Sequence, residues 1–408
     1  MIMAWRNIWR NARRTFVILT AVFIGVTGMV FLAALMQGLV FSMVENSINN
    51  LTGHVLVRNS DYISDPSIDS RINGIDKILA QVNGELTDGS KALKRIRLDG
   101  VVNTARDSYG VTVVGTDINA EQGVSFIGDA PIEGEKIENS DKNSVLIGKG
   151  FAEKIGLSIG KRIVLNMQDA DGEIASKSFR IKGIYQAEQK QLEKTYIFLP
   201  YQSVEKMLGI EGDGTEIVID MPIRDVESDS YQQLTDTLKG VLPADISVMS
   251  WREVLPAINA YLKLFDGFIF IWYIVVFIAM GFGIVNTVLM AVYERMREFG
   301  LLRALGMKTS GIFKMVLAET TLLIFTGLLA GNIAAYLLIW YLTVNGLDLT
   351  AFGSGMDIMA VSRVIYPVFS LTDLLKADLT ILVLGIVITL YPAYKACGFS
   401  PIETMRNV

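Results

Sequence analysis

The chain has 408 residues, is 51% hydrophobic and carries a formal net charge of −5. Residues 45–266 hold 24 Lys and Arg against 34 Asp and Glu, whereas the rest of the chain holds 13 against 8. Such an acidic block argues against nucleic acid as a partner. One cysteine and one histidine exclude an intrachain disulfide and a four-ligand Cys/His zinc site. The composition therefore indicates an acidic, water-soluble domain inserted into a membrane-spanning part of the chain that is basic.

The N-terminal residues predict a membrane helix preceded by a surface helix. In residues 1–14 the tryptophans share one helical face and the four arginines share another, which is typical of an interfacial amphipathic helix. Residues 15–44 contain no charged residue. That run is longer than the apolar core of a signal peptide, which is about 7–15 residues. We therefore expect residues 15–44 to be an uncleaved first transmembrane helix.

Residues 45–265 predict a large domain of mixed α+β structure. Helices are expected at Ser70–Val82 and Ser228–Leu242, where apolar residues recur with helical spacing. Asp171 and Gly172 predict a hairpin turn between two strands. Alternating apolar and polar residues predict strands at Thr52–Arg58, Gly110–Gly115, Arg162–Met167 and Thr215–Met221.

Three further apolar runs predict transmembrane helices. The predicted segments are 266–293 as the second span, 294–314 as a connector, 315–344 as the third span, 345–377 as an extracytoplasmic loop, 378–395 as the fourth span and 396–408 as the tail. The fourth span is short, because its uncharged part, 379–394, rises about 24 Å where the hydrocarbon core is about 30 Å thick. The expected fold class is thus a multi-pass α-helical membrane protein of four spans, with a large extracytoplasmic α+β domain inserted between the first and second.

The basic residues predict the orientation. Four arginines precede the first span, and residues 294–314 hold five Lys and Arg. Residues 45–265 and 345–377 are acidic on balance. Positively charged loops stay on the cytoplasmic side, so we expect both termini and residues 294–314 in the cytoplasm.

No catalytic motif is recognisable in the sequence. Gly148-Lys149-Gly150 and Gly160-Lys161-Arg162 both lack the spacing of a phosphate-binding loop. The carboxylates of the acidic block form no pattern that selects a catalytic pair, so we expect a non-catalytic chain that binds no cofactor. Glu319, in the third span, is either a functional intramembrane charge or a tolerated interfacial one.

The connector 294–306 is the most informative stretch of the chain. As a helix it would place Glu294 near Arg297 and Glu298, would cluster Leu301, Leu302 and Leu305 on one side, and would let Gly300 or Gly306 break or cap it. A short helix of this kind fits a groove on a soluble partner; the alternative is a loop whose arginines only fix topology. The residues in question are Glu294, Arg295, Arg297, Glu298, Phe299, Gly300, Leu301, Leu302, Arg303, Leu305 and Gly306.

This connector resembles the cytoplasmic motif of the MacB/LolCE/FtsX-type permeases of ABC transporters. In that family the segment is the coupling helix that contacts the ATPase. The C-terminal stretch with Pro392, Pro401 and Arg406 is similar to the family's usual ending, and the Trp- and Arg-rich opening is similar to its N-terminal membrane-skimming helix. Residues 145–160 are similar to part of the family's extracytoplasmic domain.

The resemblance implies a mechanism called mechanotransmission, in which cytoplasmic ATPases move the spans and the spans move the outer domains. It implies a dimer of ATPase subunits that carry ATP and Mg²⁺, a second permease copy or paralogue, and the bacterial inner membrane as the location. A free permease of this size best resembles the lipoprotein-releasing LolC/LolE type, whose cargo is a lipoprotein handed to a periplasmic chaperone or adaptor. The opening residues depart from the LolC/LolE pattern, which leaves the cargo open. The alternatives are an FtsX-like regulator of an envelope enzyme and a MacB-like efflux permease that works with periplasmic adaptors.

Overall fold

A computed structural model describes residues 12–104, 107–222, 230–350, 362 and 364–398, except for the side chains of Arg13, Arg14 and Asp266. The chain divides into two compact units. A helical unit takes the described parts of residues 1–40, 261–349 and 364–408. An α+β unit takes those of residues 41–260 and 350–363. The predicted interfacial helix at 1–14 lies almost wholly outside the described residues.

The first apolar helix, α1, runs from Ala12 to Ser47 and is followed by a kinked turn, Ile48–Thr52, in which Asn50 and Leu51 leave the helical conformation. The turn ends on Gly53, whose φ of 69° is open to a glycine without strain. Because the boundary between the two units falls after Val40, the last residues of α1 and this turn belong to the α+β unit.

The α+β unit contains one large sheet and several short helices. Its strands are β1 (Val55–Asn59), β2 (Lys91–Asn103), β3 (Ser108–Thr116), β4 (Ile132–Gly134), β5 (Ser144–Gly148), β6 (Arg162–Gln168), β7 (Ile174–Tyr185), β8 (Tyr196–Pro200), β9 (Glu216–Asp220) and β10 (Ile246–Ser250). Its helices are α2 (Ile75–Glu85), α3 (Phe126–Asp129), α4 (Lys149–Ile155), α5 (Lys190–Thr195), α6 (Tyr201–Leu208), α7 (Ser230–Val241) and α8 (Trp251–Val254).

The sheet has the order β10-β1-β9-β2-β3-β8-β5-β7-β4, and β6 pairs with both β2 and β7. The β3–β8 and β5–β7 pairs are parallel, and the other pairs are antiparallel. β6 buries every second residue, which is the alternation that predicted a strand there. Between β6 and β7 the turn at Asp171 and Gly172 has the positive φ, 83° at the glycine, that the predicted hairpin requires.

One predicted helix of the domain begins later than expected. Ser70 lies in a short 3₁₀ turn, and α2 begins only at Ile75, after Gly74 in a left-handed conformation. Ile72 instead forms an isolated bridge with Gly214 and is buried. The helical spacing of the isoleucines was correct from Ile75 onward, but the glycine ends the helical stretch on its N-terminal side.

The chain enters and leaves the domain through two neighbouring strands. β1, which follows α1, pairs along its whole length with β10, which precedes the second apolar helix. Just beyond this pair the amide of Trp251 donates to the carbonyl of His54 at 3.0 Å, and the Trp251 ring is buried against Tyr231. Both connections are therefore fixed to one edge of the sheet.

The helical unit continues with α9 (Pro256–Glu294), α10 (Met296–Ala304), α11 (Thr309–Asn345), the short strands β11 (Leu347–Asp348) and β12 (Val364–Ile365), and α12 (Leu371–Cys397). Four helices of the described chain, namely α1, α9, α11 and α12, are long and apolar enough to cross a membrane. β11 and β12 form a two-stranded antiparallel sheet after α11.

The fourth apolar helix is longer than its predicted span. α12 has 27 residues and begins at Leu371, where the sequence predicted a start at residue 378. The prediction stopped at charged residues that the structure pairs with other helices. Asp373 accepts a hydrogen bond from Gln37 of α1 at 3.0 Å, and Asp378 accepts one from Asn332 of α11 at 2.8 Å.

Glycines set the closest approach between α1 and α11. Gly327 and Gly331 are four residues apart and face Val22 and Val26, in the small-xxx-small pattern of tightly packed membrane helices. A Cβ added at Gly331 would lie 2.8 Å from the Cβ of Val26. At the same place Thr27 donates to the Gly331 carbonyl at 3.2 Å. This contact leaves no room for any larger residue.

We predict that Gly331→Ala destabilises the helical unit although alanine is the better helix former. Overpacking of a tight contact costs about 1–3 kcal/mol, against a propensity gain of about 1 kcal/mol. Gly283→Ala is the matched control, because nothing lies within 4 Å of the position its Cβ would take. Thermal unfolding in detergent can be followed through the reaction of a thiol dye with Cys397, the only cysteine in the sequence. An unfolding midpoint for Gly331→Ala at or above that of Gly283→Ala would contradict the packing.

Candidate functional site

The connector between α9 and α11 folds as a separate short helix. α9 ends at Glu294, and Arg295 leaves the helical conformation with φ −98° and ψ 13°. α10 then begins at Met296. Glu294 and Glu298 therefore belong to different helices, and Oε2 of Glu298 accepts a hydrogen bond from Nε of Arg295 at 3.0 Å. The proximity of Glu294 to Arg297 and Glu298 stays a prediction.

The C-terminus of α10 is closed by a Schellman motif. The Met307 amide donates to the Leu302 carbonyl and the Gly306 amide donates to the Arg303 carbonyl, both at 3.0 Å. Gly306 has φ 93°, which a residue with a side chain rarely adopts. Gly306 thus caps the helix. Gly300 lies inside the helix, is buried and does not break it.

One face of α10 is part of the apolar core of the helical unit. Phe299 is buried in the cluster that also contains Ile312 and Val316 of α11, and Leu302 packs against it. A nine-residue helix is too short to be stable alone in water, so this burial holds α10 in place.

Arg295 ties α10 to the third apolar helix. Its Nη1 donates to Oε2 of Glu319 at 2.7 Å, its Nε donates to Oε2 of Glu298 at 3.0 Å, and its guanidinium lies 5.2 Å from the centre of the Phe299 ring. Burial alone would lower the pKa of Arg295, but the two carboxylates outweigh it and raise that pKa. Arg295 therefore stays charged, and Glu319 is bound by a cation that the sequence did not single out as its partner.

A second tie joins α10 to the end of α12. Nη1 of Arg303 lies 3.5 Å from the carbonyl oxygen of Cys397, and the Cys397 thiol is 3.4 Å from the carbonyl oxygen of Thr309 at the start of α11. The termini of α10, α11 and α12 are thus joined by polar contacts. A displacement of α10 has direct routes to two of the apolar helices.

The opposite face of α10 is exposed. Leu301 is 54% and Leu305 is 77% exposed, and the exposed side chain of Arg297 lies one helical turn before Leu301 on the same side. The expected three-leucine cluster is therefore reduced to two, because Leu302 turns toward the core. Charged residues on this face argue against contact with hydrocarbon. Large exposed apolar side chains among charges indicate a protein-binding surface.

The remaining predicted residues are more scattered. Pro392 is buried inside α12. Pro401 and Arg406 lie outside the described residues. The sequence interpretation missed the Asn332–Asp378 contact between α11 and α12. A polar residue in the middle of one apolar run and an acid beside another could have signalled this pair.

The described residues include no group of three or more His, Cys, Asp or Glu side chains that could hold a metal ion. Within the part of the chain that the structure describes, the hydrogen bonds around α10 pair no nucleophile with a base. What its geometry offers is one bound face, one free face and polar ties to neighbouring helices, which suits binding and transmission of movement.

Comparison with known families accounts for both units. Residues 15–235 match the family described as the MacB-like periplasmic core domain, and residues 269–401 match the FtsX-like permease C-terminal family. The second match contains the whole of α10, α11 and α12. The periplasmic region of MacB from Actinobacillus actinomycetemcomitans aligns with 52% of this chain and 94% of that chain, at 14% identity and a TM-score of 0.36, which is too weak to add to the assignment.

Individual relatives are distant. An uncharacterized ABC transporter permease of Methanocaldococcus jannaschii is 25% identical over 67% of this chain and 65% of its own length. The lipoprotein-releasing system transmembrane protein LolC of Xylella fastidiosa is 24% identical over 64% of each chain. LolC of Neisseria meningitidis is 21% identical over 96% of this chain and 94% of its own. The chain thus spans just under two thirds of the first two of these relatives.

We predict that the Arg295–Glu319 pair stabilises the helical unit more than the Arg295–Glu298 pair does. Glu319 is 19% exposed and Glu298 is 43% exposed. Glu319→Gln weakens a partly buried charge-assisted bond and is expected to cost about 1–3 kcal/mol, whereas Glu298→Gln should cost less than about 1 kcal/mol. The midpoint of thermal unfolding, read from Cys397 reactivity, compares the two. Equal effects, or a larger one for Glu298→Gln, would show that the contact with α11 is unimportant.

The order of elements and both family matches agree along the chain. The first apolar helix is followed by the domain that matches a MacB-like periplasmic core. Three further apolar helices follow, and they carry the FtsX-like match. The first match alone covers more than half of the 408 residues. This chain therefore belongs to the MacB/LolCE/FtsX family of ABC transporter permeases.

Proposed function

We propose that the chain is the membrane subunit through which a separate ATPase moves an extracytoplasmic domain, and that this movement releases a lipidated cargo such as a lipoprotein from the inner membrane. The observation that carries the proposal is the division of α10 into two faces. Phe299 and Arg295 attach one face to the helical unit, while Leu301 and Leu305 remain exposed on the other.

The input would be the exposed face of α10. Its two leucines supply apolar area for a groove on the ATPase, and Arg297 supplies charge for its rim. ATP and Mg²⁺ would be bound by that ATPase, as a dimer, with none bound by this chain. A second copy of the permease or a paralogue would complete the transporter.

The output would be the α+β unit. Its match to a periplasmic core domain supports a location outside the cytoplasm. The distribution of lysine and arginine supports cytoplasmic termini and a cytoplasmic α10, in a bacterial inner membrane. The relatives that are named lipoprotein-releasing proteins support a lipidated cargo. A periplasmic chaperone or adaptor would receive it.

We predict that Leu301→Glu and Leu305→Glu each weaken binding of the ATPase at least tenfold. Truncation or charging of a central interface side chain commonly costs about 2 kcal/mol or more, and tenfold corresponds to about 1.4 kcal/mol. Ile174→Glu is the control, because Ile174 is 76% exposed, close to the 77% of Leu305, and lies in the α+β unit.

The measurement is affinity purification of the tagged chain from its native membrane. Mass spectrometry then quantifies proteins that carry a phosphate-binding loop. Retention of such a protein by the Leu301→Glu/Leu305→Glu double variant at the level of Ile174→Glu would refute the assignment of the face.

A separate experiment tests the cargo. Depletion of the protein should make lipoproteins accumulate in the inner membrane fraction, as measured by quantitative proteomics of separated membranes. Unchanged lipoprotein distribution, together with a retained ATPase, would instead favour a regulator of an envelope enzyme or an efflux permease.

A further inference from the structure

Two oppositely charged side chains are completely buried in the α+β unit. Arg95 on β2 and Glu121, in the turn after β3, are both 0% exposed. Nε of Arg95 donates to Oε1 of Glu121 at 2.6 Å, and Nη2 donates to Oε2 at 2.5 Å. The hydroxyls of Thr116 and Ser125 donate to the same carboxylate, each at 2.6 Å. The pair is therefore a bidentate bond with a fixed orientation.

The third nitrogen of this guanidinium holds the turn that follows α1. Nη1 of Arg95 donates to the carbonyl oxygen of Leu51 at 2.6 Å. Among the described residues, Leu51 is the one non-glycine residue with a positive φ, at 78°. That conformation is sterically unfavourable for a residue with a side chain. Its side chain is fully buried, in a cluster with Tyr185 and Phe198. Leu51 is thus held in a strained conformation from two sides.

Stability alone does not explain why these charges are buried. Apolar residues that fill the volume of a buried ion pair often give a fold that is equally or more stable. Burial by itself would lower the pKa of Arg95, but Glu121 and Glu216 raise it, so the guanidinium stays protonated and keeps all its donors. What an apolar pair cannot supply is a directed donor for the Leu51 carbonyl.

The position of the pair in the sheet links the turn after α1 to a central strand. The chain after Leu51 continues into β1, which is separated from β2 by β9. The hydrogen bond from Arg95 to Leu51 therefore joins the turn after α1 directly to β2, without passing through β1 or β9. β2 in turn pairs with β3, β6 and β9, so it reaches most of the sheet.

We propose that Arg95 and Glu121 form the joint through which displacement of α1 reaches the sheet of the α+β unit. They act as positioning residues on Leu51. This inference rests on the proposed function, because it assumes that movement of the apolar helices is the input to the domain. The inference adds the place where displacement of α1 is transferred to the sheet, and this place lies within the α+β unit.

The test removes the joint and keeps the core filled. Arg95→Met/Glu121→Gln takes away both charges; the glutamine can accept from one of the Thr116 and Ser125 hydroxyls through its oxygen and donate to the other through its nitrogen. Arg95→Lys is a second variant, because a single ammonium group cannot bind Glu121 with two bonds and also reach Leu51. Lys182→Met is the control, since it breaks a different ion pair, Lys182–Asp141 at 2.9 Å on β7, and leaves the bonds of Arg95 in place.

Hydrogen exchange of the full chain, purified with its ATPase, provides the first readout. Without nucleotide, both Arg95 variants should exchange the Gly53 amide, which donates to the Ile48 carbonyl, at least tenfold faster than the wild type. Amides at the centre of β3 should keep their wild-type rate, as should the Gly53 amide in Lys182→Met. Equally faster hydrogen exchange throughout the sheet, or an unchanged exchange rate at Gly53, would contradict the proposed joint. The pair would then be an ordinary part of the core.

The second readout adds ATP and vanadate to the same complexes. In the wild type and in Lys182→Met the exchange of residues 91–103 should change at least threefold. In both Arg95 variants that response should be lost, while their ATP hydrolysis, measured separately without vanadate, should match that of the wild type. A persistent response in the variants would overturn the joint alone. No response in the wild type would overturn the proposed function, and the joint with it.

Discussion

The ion pair between Arg295 and Glu319 joins the short helix α10 to the third apolar helix, and the proposed transmission of movement depends on that contact. Without it α10 would rest on the Phe299 ring and on the weaker contact of Arg303 with the end of α12. A nine-residue helix with such an attachment could bind a partner without displacing anything else. Because the charged pair is partly buried, a displacement of α10 is coupled to a displacement of α11.

The helical unit is organised so that such a displacement would not be absorbed locally. Gly327 and Gly331 bring α11 against α1 with no spare room, and Asn332 bonds α11 to α12. Close-packed contacts resist deformation, so helices joined in this way move together or not at all. The α+β unit also has fixed contacts where the chain enters and leaves it, because β1 and β10 pair at one edge of the sheet. The features that matter for the proposed function are thus contacts between helix ends and their neighbours, and no enzyme-like cleft is needed.

Much of this architecture could be predicted from the sequence, because the deciding physical effects are local. A run of uncharged residues long enough to cross a bilayer identified α1, and alternation identified β6 together with its Asp171-Gly172 turn. The limits were set by contacts between distant residues. The fourth apolar helix begins at Leu371, seven residues before its predicted start, because the partners of Asp373 and Asp378, Gln37 and Asn332, lie elsewhere in the chain. The boundary between the second span and the connector, predicted after residue 293, lies at Arg295, whose side chain is bound by Glu319, 24 positions further on. The burial of Arg95 had no local signal, since a lysine- and arginine-rich strand such as β2 predicts exposed charges.

The central claim is that α10 presents one face to an ATPase and the other to the helical unit. Site-specific photocrosslinking tests it most directly, with the probe placed in turn at Leu301, Leu305 and Leu302 of the full chain in its native membrane. The two exposed positions should form crosslinks to a subunit that carries a phosphate-binding loop, and Leu302, which packs against the core, should not. Crosslinks from Leu301 and Leu305 to lipid alone, or the same products from all three positions, would contradict it.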